Sequence, residues 1–144
     1  DHIVGDLITP YEVATPVGTQ RVRIAGGLLG QWAVWTHRAV ELLSKIHALT
    51  DAGAPVPPEL LTIGAHLTDA NAAIFDAAHN FSGCIPGIHE ILRRQGLLDT
   101  ILCLDPEEVL SPGQDTEIDR VYTAYPQLND DAFVRENRDR WLAD

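Results

Sequence analysis

The apolar residues of this 144-residue chain change their spacing near Gly30. Before that glycine, short runs alternate apolar with polar residues, which is the period-two pattern of β-strands. After it, apolar residues recur every three or four positions, which is typical of helices that bury one face. The sequence therefore predicts short strands in the first 30 residues and a predominantly helical chain over 31–142. One short strand pairing is left open near 101–104.

The N-terminal part predicts two or three strands. Residues 2–4 form a short apolar run, and residues 11–13 and 21–24 alternate on either side of the segment 15–19. That segment contains a proline and a glycine, an arrangement typical of a hairpin whose loop is longer than two residues.

The helical part predicts four or five helices with recognisable ends. The tetrapeptide at 111–114, Ser-Pro-Gly-Gln, is a capping-box signature. We therefore expect the Ser111 side chain to cap the helix that follows it. The expected helices cover approximately residues 32–49, 57–79, 86–96, 111–125 and 129–141.

Charge and composition argue against several classes of function. The chain carries 21 acidic and 10 basic residues, a net charge of −11. Such a field repels phosphate backbones, so we expect no nucleic-acid partner. No run of 18 apolar residues occurs, so we expect no transmembrane helix and no membrane partner. Cys84 and Cys103 lie far apart in a chain without a signal-peptide pattern, which predicts reduced thiols and a cytoplasmic location.

Four residues with metal-binding side chains fall on one predicted helix: His66, Asp69, Asp76 and His79. The spacing of Asp76 and His79 resembles half of a di-metal helix site, which would need matching ligands from other helices. No second pair of this kind occurs. We favour a polar, solvated helix face, keep the metal site as a minor alternative, and expect neither a metal nor a cofactor.

Three other candidates are interpreted as structural. His89-Glu90 begins like a zinc HExxH motif, but Arg93 stands at the second histidine position, so we expect an exposed pair. Cys84 precedes a helix N-terminus, where the pKa of a thiol can fall, yet its apolar neighbours favour a small buried side chain. Lys45 is the only lysine, and we expect it on the surface of its helix.

The most specific motif is the segment 81–98, Phe-Ser-Gly-Cys-Ile-Pro-Gly-Ile-His-Glu-Ile-Leu-Arg-Arg-Gln-Gly-Leu-Leu. It resembles the Asn-Pro-Ile-Pro-Val-Lys segment, the short helix and the terminal Gly-Leu of the dihydrodipicolinate synthase / N-acetylneuraminate lyase family. Residues 103–106 and 110–114 are similar to that family's final Arg-x-Pro and Leu-Ser. Residues 38–49 and 60–78 are similar to the two helices before the segment.

The resemblance implies an α/β fold, of which this chain would be the C-terminal portion of a (β/α)8 TIM barrel plus extra C-terminal helices. Gly5-Asp6 resembles the end of barrel strand seven, and residues 25–30 resemble strand eight. Residues 1–30 would then hold these two strands with an inserted hairpin, and residues 31–144 the C-terminal helices, in one structural unit. Substrate would lie at the mouth of the barrel, against Gly5, Asp6, Gly27, Leu28 and Leu29.

The same resemblance implies a Schiff-base lyase or aldolase that acts on 2-oxo acids such as pyruvate. The family's catalytic lysine precedes the part that this chain resembles, so we expect no catalytic residue within it. The expected partners are the remainder of the barrel, as an N-terminal part or a companion chain, and further copies in a homo-oligomer. The alternative is a non-catalytic acidic helical module that binds a protein partner.

Overall fold

The computed structural model describes residues 2–28 and 30–143. Within these residues, six α-helices surround one core, and two strands form a single antiparallel pair. Short 3-10 turns lie at Gly30–Trp32, Ala77–His79 and Pro126–Leu128. The elements in chain order are α1 (Ile3–Ile8), β1 (Pro10–Thr15), β2 (Gly18–Arg23), α2 (Thr36–Asp51), α3 (Pro58–Ile74), α4 (Cys84–Arg94), α5 (Gln114–Ala124) and α6 (Asp131–Trp141).

The first element is a helix, so the strand expected at residues 2–4 is wrong. The amide of Asp6 donates to the carbonyl of His2 at 3.0 Å, and Val4 and Leu7 are buried in the core that α1 shares with α3. Val4 and Leu7 lie three residues apart. That spacing places both side chains on one face of a helix but on opposite faces of a strand, so the helix is the conformation that buries both.

The predicted hairpin is confirmed, but its loop is shorter than expected. β1 and β2 pair from Pro10↔Arg23 to Thr15↔Gly18, which leaves a two-residue loop at 16–17. The Thr15 hydroxyl donates to the Gly18 carbonyl at 2.6 Å, and Gly18 adopts a φ of +121° that a side chain would disfavour. Every residue of β2 is exposed, so the hairpin lies on the surface of the molecule.

These two strands are the only ones among residues 2–28 and 30–143. Gly5-Asp6 lie in α1 and residues 24–28 form no strand, so neither segment that resembles a barrel strand is a strand here. A strand of a parallel barrel takes its backbone hydrogen bonds from two neighbours, and the described chain supplies none beside these segments. The pairing left open at 101–104 does not form either. The prediction of a mostly helical chain with a short N-terminal β region is confirmed.

The helix α3 forms the centre of the core. Its buried residues Leu60, Leu67, Ala70 and Ile74 recur at three, four and seven positions, as the apolar spacing predicts. The helix α5 packs along α3, and α1 and α4 also contact it. The neighbouring helices contribute the buried residues Val4, Leu7, Ile46, Ile91, Ile118 and Val121.

Candidate functional site

A buried carboxylate lies just beyond the C-terminus of α3. Asp76 is only 3% exposed, and its backbone is held in the left-handed region with a φ of 59°. One carboxylate oxygen lies 2.6 Å from Nδ1 of His79, and the other accepts from the amide of Gly83 at 2.9 Å and from the hydroxyl of Ser111 at 2.5 Å. These three hydrogen bonds, to His79, Gly83 and Ser111, fix the side chain of Asp76.

The hydrogen bonds decide the protonation state of Asp76. Burial alone would raise its pKa, because it removes the charged form from water. The donors from Ser111, His79 and Gly83 outweigh burial, and the pKa of Asp76 lies below its usual value. The group is therefore a carboxylate at neutral pH.

Gln114 completes what we call the Asp76 cluster, made of Asp76, His79, Ser111 and Gln114. Its side chain is buried. The amide nitrogen donates to the carbonyls of Gly83 at 2.9 Å and Ile74 at 3.2 Å, and Oε1 accepts from the amide of Ser111 at 3.0 Å. The cluster thereby joins the end of α3, the start of α4 and the start of α5.

The capping box predicted at Ser111 is only half formed. Gln114 accepts from the Ser111 amide, as that motif requires, but α5 begins at Gln114 itself, after Gly113 with a φ of 82°. The Ser111 hydroxyl donates its proton to Asp76, and no side-chain hydrogen bond caps the start of α5. A hydrogen bond to a charged acceptor is stronger than one between neutral groups.

Two glycines allow this close packing. A Cβ added at Gly83 would overlap the side chain of Gln114, and one added at Gly87 would overlap the carbonyl oxygen of Ile74. Both glycines belong to the segment 81–98 that carries the family resemblance. That segment is therefore held against α3 and α5 by contacts that leave no room for a side chain.

The chemistry available to the Asp76 cluster is proton transfer. His79 presents one ring nitrogen to the buried carboxylate, and its side chain is partly exposed, so it can exchange a proton with a group in solution. The nearby hydroxyls are already engaged, because Ser82 donates to the His79 carbonyl and Ser111 donates to Asp76. Among the described residues, this cluster therefore contains no unengaged hydroxyl nucleophile.

The four predicted metal-binding residues do not converge. Arg120 donates to both carboxylate oxygens of Asp69, at 2.7 and 3.0 Å, and Tyr125 donates to the same group at 2.7 Å. The hydrogen bond from Arg120 is the main reason that the pKa of Asp69 is lowered. His66 stacks on the Tyr125 ring. The described residues contain no group of three or more His, Cys, Asp or Glu side chains that could hold a metal ion.

The solvated helix face favoured for these residues is wrong for Asp76, which is buried. The exposed pair expected at His89-Glu90 is also wrong, because Glu90 is buried. Its carboxylate accepts two hydrogen bonds from Arg93 at 2.7 and 2.8 Å and one from Arg94 at 2.7 Å. The hydrogen bond from Arg93 is the largest cause that lowers the pKa of Glu90.

The cysteine at the start of α4 is not an activated nucleophile. Burial raises the pKa of Cys84, and the charges of Asp76 and Glu108 raise it further. The thiol is partly buried and free, in line with the small buried side chain expected from its neighbours. Lys45 is exposed on α2, as expected.

The residues that the resemblance assigns to the substrate have different surroundings. Gly5 lines a groove beside α3, and Asp6 accepts a hydrogen bond from the Tyr11 hydroxyl at 3.0 Å. Gly27 packs so closely against the Trp32 ring that a Cβ would overlap it, and Leu28 is 92% exposed. Leu29 lies outside the described residues.

Sequence reasoning missed the buried amides and one buried carboxylate. Asn71, Gln95, Gln114 and Asp130 are all buried. Gln95 donates to Asp130 at 2.7 Å across 35 positions of sequence, and Gln114 bonds residues 31 and 40 positions away. No local pattern indicates such distant partners. Gln114, which stands three positions after Ser111 in the predicted capping box, was the only one of these residues that a local pattern indicated.

No protein-family model matches this chain, and no curated protein or solved structure matches it significantly. Within the described residues, no helix is both long and apolar enough to cross a membrane.

Proposed function

We propose that this chain is the C-terminal helical part of a Schiff-base lyase or aldolase of the dihydrodipicolinate synthase / N-acetylneuraminate lyase type. Its substrate would be a 2-oxo acid such as pyruvate, and its catalytic lysine would lie outside these 144 residues. The observation that carries the proposal is the segment 81–98, whose resemblance to the family's turn, short helix and terminal Gly-Leu is the most specific in the chain.

The local structure of this segment supports the proposal. A tight turn with left-handed residues at Asn80 and Phe81 leads into α4, and Gly96 ends the helix with a φ of 71°. The Leu97 amide then donates back to the Leu92 carbonyl at 2.9 Å. A turn, a helix of eleven residues and a Gly-Leu end are the parts that the resemblance implies, in the same order.

The chemistry requires an amine that this chain does not offer among its side chains. A Schiff-base enzyme needs a neutral lysine, which burial or a cationic neighbour produces. Lys45 is the only lysine, and it is exposed on α2 in a shallow groove with Arg38 and Glu41. A productive amine would therefore come from the remainder of the barrel.

In such an enzyme these helices would stabilise the barrel and its contacts with other copies. Leu102 and Leu104 are 79% and 106% exposed, in an irregular segment between α4 and α5. Contact with further protein would remove these two apolar side chains from water. The proposal includes a homo-oligomer, and it includes a cytoplasmic location because both thiols are free.

Borohydride trapping tests the proposal. The native polypeptide that contains this chain, with any companion chain, should form a reduced pyruvyl adduct on a lysine outside the 144 residues. The 144-residue chain alone should form none, and its Lys45→Arg variant is the matched control. Failure of the native preparation to trap pyruvate or any other 2-oxo acid would contradict the lyase. An adduct on Lys45 would show that the active site is misplaced.

An acidic helical interaction module is the second candidate, and the same exposed segment favours it. Leu102 and Leu104 would then contact a separate protein, with the net charge of −11 selecting a basic partner. Native mass spectrometry separates the two candidates. Association with a lysine-containing half barrel supports the lyase, whereas a stable complex with a basic, non-catalytic protein supports the module.

A further inference from the structure

Three polar atoms meet where the irregular segment between α4 and α5 contacts α4. His89 lies in the middle of α4, and Ile101 and Cys103 lie in the segment that follows it. Nδ1 of His89 is 3.7 Å from Sγ of Cys103 and 3.4 Å from the carbonyl oxygen of Ile101, and Sγ is 3.6 Å from the same oxygen. We call this set of one sulfur, one nitrogen and one oxygen the Cys103 triangle.

The contacts within the triangle are weak as hydrogen bonds. An N–H···O bond usually spans about 2.7–3.2 Å, and the contact between the His89 ring and the Ile101 carbonyl is longer. A thiol is a weak donor and a weak acceptor, so Cys103 gains little from either neighbour. Among the described residues, no other hydrogen bond engages the His89 ring or the Cys103 thiol. The three atoms therefore converge without satisfying one another.

The separations match those between the ligands of a tetrahedral zinc ion. Zinc binds sulfur at about 2.3 Å, imidazole nitrogen at about 2.0–2.1 Å and oxygen at about 2.0–2.2 Å. At a tetrahedral angle, these lengths place sulfur about 3.6 Å from each of the other two atoms, and nitrogen about 3.4 Å from oxygen. The observed separations of 3.7, 3.6 and 3.4 Å agree with this geometry.

We propose that the Cys103 triangle binds one Zn²⁺ ion through the Cys103 thiolate, Nδ1 of His89 and the carbonyl oxygen of Ile101. Water is the fourth ligand, as in zinc sites with three protein donors. The thiol releases its proton to solvent when the ion binds, because the thiolate is the ligand. The site needs only two metal-binding side chains, since the third donor is a backbone oxygen. It is separate from the proposed lyase chemistry, which depends on a lysine amine.

The donors and the surrounding charge select the ion. Mg²⁺ and Ca²⁺ take oxygen ligands, whereas thiolate and imidazole suit Zn²⁺. Burial raises the pKa of the Cys103 thiol, and the negative charges of Glu108 and Asp105 raise it further. The charges of these two carboxylates therefore reach the sulfur, and the same field attracts a cation to it.

The ion anchors a segment that is otherwise held weakly. Residues 98–110 form neither helix nor strand, and Leu102 and Leu104 on either side of Cys103 are exposed. Among the described residues, the His89 ring makes the only hydrogen bonds that join residues 98–110 to the remainder of the chain. Zinc bound between α4 and this segment replaces those weak contacts with three metal–ligand bonds.

Cobalt(II) tests the site directly, because it occupies tetrahedral zinc sites and gives a charge-transfer band in the near ultraviolet when a thiolate binds it. The 144-residue chain is titrated with Co²⁺ under reducing conditions, and Zn²⁺ is then added as a competitor. We expect one Co²⁺ per chain with the thiolate band, and loss of the band when Zn²⁺ is added. Mg²⁺ should not displace the Co²⁺.

Two variants remove one ligand each. Cys103→Ser should abolish the thiolate band. His89→Gln should weaken Co²⁺ binding at least about tenfold, since loss of an outer-shell partner alone costs roughly 10–100-fold. Cys84→Ser and His47→Gln are the matched controls, because neither residue belongs to the triangle, and both should bind Co²⁺ as the parent chain does.

Two measurements on the parent chain keep the test decisive if a variant does not fold. Zn²⁺ should protect Cys103 from alkylation by iodoacetamide and leave the reactivity of Cys84 unchanged, which mass spectrometry of the digested chain determines. Zn²⁺ should also shift the 13C resonance of the Ile101 carbonyl, because that oxygen becomes a ligand.

Four results would overturn the proposal. The first is a parent chain that gives no thiolate band with Co²⁺, and the second is a band that Cys103→Ser retains. The third is an unchanged affinity in His89→Gln, which would show that the imidazole is not a ligand. The fourth is a stoichiometry of two chains per ion, because the ion would then bridge thiolates of two copies instead of binding within one triangle.

Discussion

The carboxylate of Asp130 accepts a hydrogen bond from the backbone amide of His37 at 2.9 Å, although 93 residues separate them in sequence. His37 lies in the first turn of α2, where amides have no partner within the helix. Trp35 precedes α2 in the left-handed conformation and provides no side-chain cap. Asp130 therefore performs the task of an N-cap from the far end of the chain, and its other oxygen accepts from Gln95 at 2.7 Å.

Replacing this distant cap should destabilise the whole fold. Asp130→Ala leaves the His37 amide without its acceptor and the Gln95 amide with Asp131 alone, at 3.0 Å. We expect the free energy of unfolding to fall by about 1–3 kcal/mol. Urea unfolding followed by circular dichroism measures the change. Asp139→Ala, at an exposed carboxylate paired only with the partly exposed Arg138, is the control and should change stability by less than about 0.5 kcal/mol. Equal effects of the two substitutions would contradict the cap.

The Ser111 hydroxyl should contribute more to the free energy of unfolding than a helix cap does. Ser111→Ala removes a donor to the buried charge of Asp76, so the free energy of unfolding should fall by about 1.5–3 kcal/mol. Ser44→Ala on the exposed face of α2 serves as the control and should be near neutral. If Ser111→Ala only frays the start of α5, amide exchange should become fast in the first turn of α5 alone. That result would show that Ser111 acts as a local helix cap.

The helices could be predicted because their signal is local. In α2 and α3 the apolar residues recur every three or four positions for more than four turns, and that spacing defines a buried face without knowledge of the partner. The run at residues 2–4 is too short to define any period. Whether it becomes strand or helix depends on Leu7 and on the surface of α3 that receives it.

The buried polar groups could not be predicted, because their partners are distant. Asp76 was expected on a solvated face since nothing near it in sequence indicates that Ser111, 35 residues later, would donate to it. The partners of Glu90, Arg93 and Arg94, lie three and four residues after it in sequence. That spacing predicts ion pairs, but it does not predict that Glu90 is buried. Asn71 is buried within α3, and the residues near it in sequence do not indicate that burial.

Adding one methyl group to α4 should disrupt its packing on α3. The Cβ of Gly87→Ala would overlap the carbonyl oxygen of Ile74, which is backbone and cannot move aside cheaply. We expect a loss of at least about 1–3 kcal/mol, the usual cost of overpacking. Gly5→Ala is the matched control, since nothing lies within 4 Å of its added Cβ, and helix propensity should make it neutral or stabilising by up to about 1 kcal/mol. Differential scanning calorimetry of both variants measures the difference.

The low pKa of Asp76 predicts how the stability of the protein depends on pH. A carboxyl whose pKa is lower in the folded state than in the unfolded chain binds protons more readily when unfolded. The stability that the Asp76 carboxylate contributes is therefore fully present above its pKa in the unfolded chain, about 4, and is lost as the pH falls through its lower pKa in the folded state.

The Asp76→Asn variant has no ionisable group at this position. The parent chain should therefore exceed it in free energy of unfolding by a constant amount between pH 5 and pH 7, and this difference should narrow below about pH 4. Urea unfolding at each pH measures the gap, with the exposed Asp99→Asn variant as the control, for which the difference should stay small throughout. A gap between parent and Asp76→Asn that widens on acidification would show that burial, and not the donors from Ser111, His79 and Gly83, dominates the ionisation of this carboxyl.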